Sequence, residues 1–383
     1  MERYTHQFKG TFGAYGVRGR SALGEGSSAS VFACTEVSTG HKYALKLVWA
    51  AHLGDEIYKE AAALAWTGGT PGFVRLVDVV TPEHGKISQP CAGLVLRLHS
   101  RGSLDRAATS QSLRERIDSA PSLLRDILCA LQSLHEAGLV HRDVKPANVL
   151  LTDDGGGVVL ADLGRCILVN HIDSSILATT PLVEAPEQTT MSEYDCSADL
   201  WSAGVTMLAY VFGHGDVRGE LGDGATRDAY FRNLVRHPSS SSTPDGPLAR
   251  RVEAFFATYG SPSGFLRSLC RASAELPSNY ADKHLALCET LDGIMERDPV
   301  ARWSAQDALH VLENASQPEA CDGPRERRRG TKRRVFDLLP SSPDLAQYII
   351  RCIFHDAPCG DAEMAKRALE TFAKHWRTIL LGQ

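Results

Sequence analysis

The chain has 383 residues, which is enough to bury a sizeable core in one two-lobed unit or in two ordinary domains. Its 43% hydrophobic and 23% charged residues, with a net charge of −5, argue against a general attraction to nucleic acid or to anionic membranes. The N-terminal residues show no leader pattern, and no apolar stretch reaches the length of a membrane span. We therefore expect an intracellular protein without a membrane partner.

The ten cysteines form no CxxC pair, which argues against a zinc ribbon and against a dense disulfide framework. The nearest approach to a metal-binding cluster is Cys352, His355 and Cys359. This group lacks a second ligand pair, so we expect it to be structural.

Short runs rich in β-branched and aromatic residues predict an antiparallel sheet from Val17 to Leu47, after an extended lead-in over residues 1–16. The first turn of this sheet reads GEGSSASV. Gly24 and Gly26 carry no side chain that would block close approach, so backbone N–H groups of the turn can lie over phosphates. Taken alone, the turn is explained equally well as an ordinary hairpin.

Lys46 ends the apolar strand YALK, where a buried ammonium group is costly unless it meets phosphate oxygens or a carboxylate. The next segment, DEIYKEAAALAW, consists of helix formers and carries Glu56 and Glu60 one helical turn apart. We expect the partner of Lys46 on this helix. The alternative is that both glutamates are solvated surface charges.

The segment from Ser122 to Gly138 has apolar residues at helical spacing and predicts a core helix. It leads into HRDVKPANVLL, in which Asp143 and Asn148 are five residues apart. A carboxylate that meets a hydroxyl nucleophile, beside an amide oxygen that can hold a divalent metal, suits phosphoryl transfer.

Two further segments continue this pattern. A tight DDGGG turn between two short strands is followed by VVLADLG, which places Asp162 at a strand end beside a glycine. A carboxylate in that position can hold a magnesium ion that bridges two phosphates. The segment from Ser197 to Gly213 is mostly apolar after a polar start and predicts a buried central helix.

Together these segments resemble the eukaryotic-type protein kinase family, from roughly Arg20 to Leu312. HRDVKPANVLL is similar to its catalytic loop, DLG to its DFG motif, and ATTPLVEAPE to the end of its activation segment. The chain departs from the family at Ala29, where a third glycine is usual, at Leu163 in place of Phe, and at Val183 in place of Tyr.

The resemblance implies an α+β fold with two lobes. The N-lobe, residues 17–98, is expected to be a small antiparallel β-sheet with one regulatory helix. The C-lobe, residues 99–314, is expected to be larger and mostly helical, with a family-variable insertion at about 214–285 that serves as a spacer or docks substrates. Residues 315–383 follow as a basic linker with two C-terminal helices, which begin near Pro343 and at Asp361.

The resemblance also implies a serine/threonine protein kinase that uses ATP and Mg²⁺, or Mn²⁺ in its place. By this match Asp143 orients and deprotonates the acceptor hydroxyl, and Lys145 steadies the γ-phosphate. Lys46, with Glu60 behind it, holds the α- and β-phosphates. The implied metal ligands are Asn148 and Asp162, and the implied ATP-binding residues are Gly24, Glu25, Gly26, Val31, Ala44, Lys46, Leu96, Arg97 and His99.

Several of these positions have more specific implied roles. Leu96 corresponds to the gatekeeper, and the backbones of Arg97 and His99 are expected to meet the adenine edge. Thr180 corresponds to the threonine that contacts the catalytic aspartate and lysine in serine/threonine kinases. Three residues have implied structural roles: Asp199 braces the catalytic loop, and Glu187 pairs with Arg302.

The resemblance suggests a hypothesis for regulation. Arg142 precedes the catalytic aspartate and can pair with a phosphate on Ser174, Ser175 or Thr179, which would order the activation segment by charge-assisted hydrogen bonds. The same hydroxyls are equally well explained as ordinary loop residues.

The segment from Arg325 to Arg334 is strongly basic in an otherwise acidic chain. It is explained either as a site for import factors or acidic partners, or as a solvated linker. We expect protein substrates as partners, no direct nucleic-acid binding, and a location in the cytoplasm, with the nucleus added if the segment directs import. If the protein comes from a virus, we expect it in the same compartments of the host cell.

Two rival functions stay open at this point. A pseudokinase that binds nucleotide and partners without phosphate transfer is favoured slightly by Ala29, Val183 and the insertion, but every charge needed for transfer is kept. A kinase of small molecules shares the HxD loop and the metal ligands, whereas Thr180, the APE motif and Asp199 resemble kinases that act on proteins.

Overall fold

The computed structural model describes residues 4–25, 29–49, 57, 60–61, 63–64, 67, 70–80, 91–169, 183–190, 195–213 and 247–314. These residues fall into two compact units. The strand unit contains the described residues up to 100 together with 162–166, and the helical unit contains residues 101–161 and the described residues from 167 to 314. The expectation of a small sheet-based unit and a larger helical unit is therefore confirmed.

Within the ranges given above, the strand unit is built on an antiparallel sheet of six strands. They are β1 His6–Lys9, β2 Ala14–Glu25, β3 Ala29–Glu36, β4 Lys42–Trp49, β5 Leu76–Val80 and β6 Cys91–Arg97. The strand order across the sheet is β1-β2-β3-β4-β6-β5. Side chains alternate across a strand, so β4 sends Leu45 and Leu47 into a core with Phe8 and Val95 and turns Lys46 to the other face. The antiparallel sheet predicted between Val17 and Leu47 is confirmed.

The lead-in predicted over residues 1–16 is wrong in one respect, because β1 pairs with β2 and extends the sheet. The physical reason is the buried carboxylate of Asp78. It accepts hydrogen bonds from the N–H groups of Thr11 at 3.0 Å and Phe12 at 2.9 Å and from the Tyr15 hydroxyl at 2.8 Å. Burial and the neighbouring charge of Asp78 raise the pKa of Tyr15, so its hydroxyl stays protonated and can donate.

The tip of this first hairpin also reaches the far edge of the sheet. Gly10 forms an isolated bridge with Val80, and the Thr11 N–H donates to the Val79 carbonyl at 3.2 Å. The sheet therefore curls until its first and last strands meet at one end. Residues Ile57, Glu60, Ala61, Ala63 and Leu64 are buried and helical, in agreement with the helix predicted from DEIYKEAAALAW.

Replacing Asp78 with Asn is expected to loosen the first hairpin. An amide has one acceptor oxygen instead of two, so at least one partly buried N–H group of the hairpin loses its partner, at a cost of about 1 kcal/mol in the free energy of unfolding. Urea unfolding and hydrogen exchange of residues 5–13 measure the change. Asp153→Asn, at an exposed position of the DDGGG turn, is the control. Equal exchange in wild type and Asp78→Asn would contradict the role of Asp78.

The helical unit contains short strand pairs and a set of helices. In the described residues the strands are β7 Leu139–Val140, β8 Val149–Leu151, β9 Val158–Leu160 and β10 Ile167–Leu168. The helices are α1 Leu104–Ser110, α2 Leu113–Glu136, α3 Glu187–Thr190, α4 Ser197–Phe212, α5 Pro247–Tyr259, α6 Pro262–Ala272, α7 Leu285–Ile294 and α8 Ala305–Asn314. The predicted turn between two short strands is confirmed, since β8 and β9 pair antiparallel.

Helix α2 begins at Leu113, earlier than the predicted Ser122. A capping box fixes this start: the Ser112 side chain accepts from the Glu115 N–H, and the Glu115 carboxylate accepts from the Ser112 N–H at 2.7 Å. The helix ends before Gly138, whose φ of 79° suits a residue without a side chain. The buried helix predicted from Ser197 is confirmed as α4, which is buried along nearly its whole length.

The second half of the predicted insertion at 214–285 is helical where the structure describes it. Helices α5 and α6 lie there and pack through buried apolar side chains, among them Phe255 and Phe265. Residues 214–246, the basic segment and the two predicted C-terminal helices lie outside the described residues. Within the described part of the chain, no helix combines the length and apolar character that crossing a membrane requires.

Candidate active site

Lys46 on β4 lies between two carboxylates of the strand unit. Its Nζ is 2.6 Å from Glu60 Oε2 and 2.8 Å from Asp162 Oδ1. The Lys46 and Glu60 side chains are 16% and 2% exposed, while that of Asp162 is 38% exposed. The lysine is therefore fixed by a buried carboxylate behind it and by a more accessible one that can also meet a ligand.

The charge state of Lys46 follows from this placement. Burial by itself lowers the pKa of a lysine, but the charges of Glu60 and Asp162 outweigh burial and raise the pKa of Lys46. The side chain is thus a permanent cation held in one position. That is the state in which an ammonium group can meet phosphate oxygens.

Replacing Glu60 with Gln is expected to lower the pKa of Lys46, because one neighbouring charge is lost while burial remains. More of the amine is then deprotonated and nucleophilic. Labelling of Lys46 by an amine-reactive ester at mildly alkaline pH, followed by mass spectrometry, should therefore be faster in Glu60→Gln than in wild type. Glu56→Gln, one helical turn earlier in the sequence, is the matched control. Equal labelling rates in Glu60→Gln and wild type would show that Glu60 does not set the charge of Lys46.

The backbone presents Asp162 in an unusual conformation. Asp162 has φ 62° and ψ 64°, which is left-handed backbone, and it precedes the 3-10 turn Leu163–Arg165. A non-glycine residue in this region is uncommon and is often found at functional positions. Here the conformation accompanies the contact of its carboxylate with Lys46.

Asp143 lies on the loop between β7 and β8 in the helical unit, and its side chain is buried. Its Oδ2 accepts hydrogen bonds from Lys145 Nζ at 2.7 Å and from Asn148 Nδ2 at 3.1 Å. Asn148 Nδ2 also donates to the Asp143 carbonyl at 2.9 Å. The 3-10 turn Pro146–Asn148 folds the chain back, so three polar side chains spread over six positions meet at one carboxylate.

Asp199, in the first turn of α4, holds this loop in place. Its carboxylate accepts from the N–H groups of His141 at 2.7 Å and Arg142 at 2.9 Å and contacts His135 Nε2 at 2.9 Å. Arg142 has a positive φ of 65°, which is unfavourable for a residue with a side chain, so the bond to its N–H stabilises a strained position. Thr206 on the same helix donates its hydroxyl to the Val144 carbonyl at 3.0 Å.

The ionisation of Asp199 depends on His135 at the end of α2. Burial raises the pKa of a carboxyl group, but the hydrogen bond and charge of His135 and the N–H of His141 outweigh it and hold the pKa of Asp199 below its usual range. A carboxylate with a depressed pKa stabilises the fold above its unfolded pKa. It loses that contribution only when the pH falls through the folded pKa.

His135→Ala is therefore expected to raise the pKa of Asp199 and to move the loss of its contribution to higher pH. In wild type this loss occurs below pH 3.8, which is the ordinary pKa of an aspartate. Acid unfolding followed by tryptophan fluorescence should show a higher midpoint pH in His135→Ala. His310→Ala, at an exposed position on α8, is the control. Identical midpoints for His135→Ala and wild type would exclude this coupling.

A second buried ion pair stabilises the helical unit. Arg302 forms two bonds to the Glu187 carboxylate, at 2.5 Å and 2.9 Å, and its guanidinium lies 5.2 Å from the centre of the Trp201 ring. Arg302 Nε also donates to the Glu296 carbonyl at 2.8 Å. The pair joins the start of α3 to the segment before α8, so the structure contains the contact implied for Glu187 and Arg302.

Five of the predicted ATP-binding residues share one face of the sheet in the strand unit. Gly24 is opposite Val31, Val31 is opposite Lys46, and Ala44 is opposite Leu96, so all five lie on the face away from the Leu45 core. Glu25 ends β2, and Gly26 lies outside the described residues.

The structure limits how the Arg97 backbone could meet the adenine edge. The Arg97 N–H donates to the Arg75 carbonyl at 2.9 Å, so contact of its backbone with an adenine edge would have to use the carbonyl. His99 lies two residues beyond the end of β6 and is partly buried. The predicted activation-segment residues Ser174, Ser175, Thr179 and Thr180 lie outside the described residues.

Sequence reasoning missed His135 and Thr206, which hold the catalytic loop from α2 and α4. His135 is 64 positions from its partner Asp199, and Thr206 is 62 positions from Val144. For Thr206 the available signal was a polar residue inside the otherwise apolar helix α4, since such a group needs a partner when it is buried. His135 lies in the polar last turn of α2 and gave no comparable signal. The partner itself is set by helix packing and cannot be read from spacing.

The residues predicted to hold a divalent cation offer oxygen ligands. Asp162 presents a partly exposed carboxylate in the strand unit. Asn148 of the helical unit uses its Nδ2 to bind Asp143, which leaves Oδ1 as the atom for a cation. Oxygen donors of this kind fit a hard divalent ion. Among the described residues, no group of three or more His, Cys, Asp or Glu side chains forms a separate metal site.

Comparison with known proteins adds to this geometry. Residues 18–312 match the family model described as protein kinase domain. Serine/threonine-protein kinase PknL of Mycobacterium bovis is 31% identical over 313 residues, covering 76% of this chain and 71% of that protein. Probable serine/threonine-protein kinase PknB of Corynebacterium glutamicum is 25% identical over 315 residues, 76% of this chain and 46% of that protein. Ribosomal protein S6 kinase alpha-4 of Mus musculus is 32% identical over 214 residues, 54% of this chain and only 27% of that protein.

Proposed function

The chain belongs to the protein kinase family, and we propose that it transfers the γ-phosphate of ATP to serine or threonine hydroxyls of protein substrates. The family match and the names of the relatives confirm the serine/threonine protein kinase that the motifs predict. The observation that carries the proposal is the buried Asp143 carboxylate, held at one oxygen by Lys145 and Asn148. A carboxylate fixed in this way is prepared to orient a hydroxyl and accept its proton.

Each charged residue has a separate task in the proposed reaction. Asp143 accepts the proton of the attacking hydroxyl. Lys145, whose ammonium group contacts the Asp143 carboxylate, steadies the transferring phosphate. Lys46 binds the α- and β-phosphates, and Glu60 keeps it charged and in position. Most of the rate comes from placing these groups before the reaction, so that little reorganisation is needed during it.

We propose Mg²⁺ as the metal, with Asn148 Oδ1 and the Asp162 carboxylate as its protein ligands. A bound divalent ion neutralises charge on the phosphates during transfer. Support comes from the oxygen chemistry of these two side chains, which Mg²⁺ prefers, and Mn²⁺ accepts the same ligands.

The alternative of a pseudokinase has little support in the described residues. Lys46, Glu60 and Asp162 form one charged cluster, and Asp143 and Asn148 form another. A scaffold that only binds partners has no need for a buried aspartate held by a lysine and an amide.

Two further proposals rest on the charge pattern alone. The basic segment from Arg325 to Arg334 is proposed to bind import factors or acidic partners. The proposed location is accordingly the cytoplasm together with the nucleus. Deleting the segment and observing where a fluorescent fusion accumulates would test both.

The direct test of the function compares wild type with Asp143→Asn in transfer of labelled γ-phosphate to a generic basic protein. Without the carboxylate, transfer should fall by about 10²- to 10⁴-fold, while ATP affinity changes little. Mass spectrometry of the product should find phosphoserine or phosphothreonine. Asp282→Asn, which removes a surface carboxylate, is the matched control.

Two results would contradict the proposal. Equal transfer by wild type and Asp143→Asn would remove Asp143 from the reaction. A wild-type protein that binds ATP but transfers no phosphate would support the scaffold alternative.

A further inference from the structure

A groove of about 510 Å³ opens on the strand unit at the end of the sheet where β4 and β5 begin and β6 ends. Its rim carries the basic side chains of Lys42, Arg75 and Arg97, together with His41. The three lysine and arginine residues are exposed and come from three neighbouring strands or their ends. Antiparallel pairing brings them together, because the start of β4 and the start of β5 both lie beside the end of β6.

The charge of this groove is opposite to that of the whole chain, whose net charge is −5. Among the residues that the structure describes, no Asp or Glu lines the groove. In the part of the chain that the structure describes, Lys42, Arg75 and Arg97 take part in none of the ion pairs. Like charges placed close together repel one another, and an anionic ligand would relieve that repulsion.

The groove also has an apolar floor. Tyr43 and Val77 line it and pack against the core cluster of the sheet. The Tyr43 ring meets the Tyr15 ring edge to face, with 6.1 Å between their centres. Tyr43 and Val77 belong to paired strands, so the floor is already formed before a ligand binds. Binding therefore costs little conformational entropy of the floor.

We propose that this groove docks an acidic segment of a protein substrate, with carboxylates on Lys42, Arg75 and Arg97 and an apolar side chain on Tyr43 and Val77. The proposal rests on the kinase function proposed above, since it names a feature of the substrate. Arginine binds carboxylates through two parallel bonds, which gives the two arginines directional recognition.

The apolar floor favours a peptide over other anions. A nucleic acid backbone or a free phosphate offers charge but no aliphatic or aromatic side chain for Tyr43 and Val77. The negative net charge of the chain also opposes a long polyanion, whereas a short peptide meets mainly the local field. Phosphorylated side chains share the chemistry of carboxylates at the rim, so a phosphopeptide is included in the test.

Binding can be measured without phosphate transfer, by fluorescence anisotropy of a short dye-labelled peptide in which Asp and Glu flank a single Phe. The full chain should bind this peptide in a saturable, salt-sensitive manner. The triple variant Lys42→Gln, Arg75→Gln, Arg97→Gln should bind it at least about tenfold more weakly, because three rim charges are lost. The matched control, Arg125→Gln, Arg271→Gln, Lys283→Gln, removes three exposed charges elsewhere and should bind as wild type does.

Comparison peptides identify the ligand chemistry. A peptide with Asn and Gln in place of Asp and Glu should bind weakly, and so should a peptide with Ala in place of Phe. A phosphoserine version that binds more tightly than the acidic version, with the same loss in the triple variant, would support the site. A single-stranded oligonucleotide that binds the groove more tightly than the acidic peptide would overturn the assignment to a peptide.

Kinetics separate this proposal from the proposed function. The double variant Lys42→Gln, Arg75→Gln keeps Arg97, which belongs to the predicted ATP site. For a substrate peptide that carries the acidic segment, this double variant should raise KM and leave kcat unchanged. For a substrate without the segment, wild type and variant should be equal. Asp143→Asn should bind the acidic peptide normally while failing to transfer phosphate. Equal binding by wild type and triple variant, or no saturable binding by wild type, would overturn the docking site and leave the kinase assignment intact.

Discussion

A single buried carboxylate, that of Asp199, holds the catalytic loop in the conformation that the proposed reaction needs. A buried charge is costly unless hydrogen bonds replace its water, and Asp199 accepts bonds from two successive backbone N–H groups and from His135. In return these bonds stabilise the positive φ of Arg142, which local preference opposes. The loop conformation therefore depends on helix packing at a distance, because α4 brings Asp199 and α2 brings His135.

The strand unit also contains a buried charge, but here the charge is positive. Here the buried charge is the ammonium group of Lys46, and the compensating groups are the carboxylates of Glu60 and Asp162. In both units a charge is fixed by partners that burial makes obligatory, and the partners set its protonation state. Charges that are already oriented need little rearrangement when phosphate oxygens or a hydroxyl arrive, which is how a protein stabilises a charged transition state.

Local spacing made the centre of the site predictable, whereas contacts between distant segments were not. Asp143 and Asn148 are five positions apart, and a short turn brings them together, so sequence alone places them on one loop. The partner of Asp199 at His135 depends on how two helices pack, which no spacing encodes. Asp78 was missed for a different reason: its partners are mainly backbone N–H groups of a hairpin, and backbone groups leave no mark in a sequence. The start of α2 was readable, since its S-x-x-E capping pattern is local, but the apolar stripe that begins later dominated the prediction.

The most direct test of the account is the rate of phosphate transfer in a single turnover by wild type, Asp199→Asn and the neighbouring surface control Asp195→Asn, with ATP affinity measured on the same samples. An amide at position 199 cannot accept both loop N–H bonds through two oxygens, so Asp143 should lose its placement. We expect unchanged ATP binding and transfer slowed by about 100-fold in Asp199→Asn, with the control unaffected. Transfer at the wild-type rate in Asp199→Asn would contradict the claim that this buried carboxylate positions the catalytic loop.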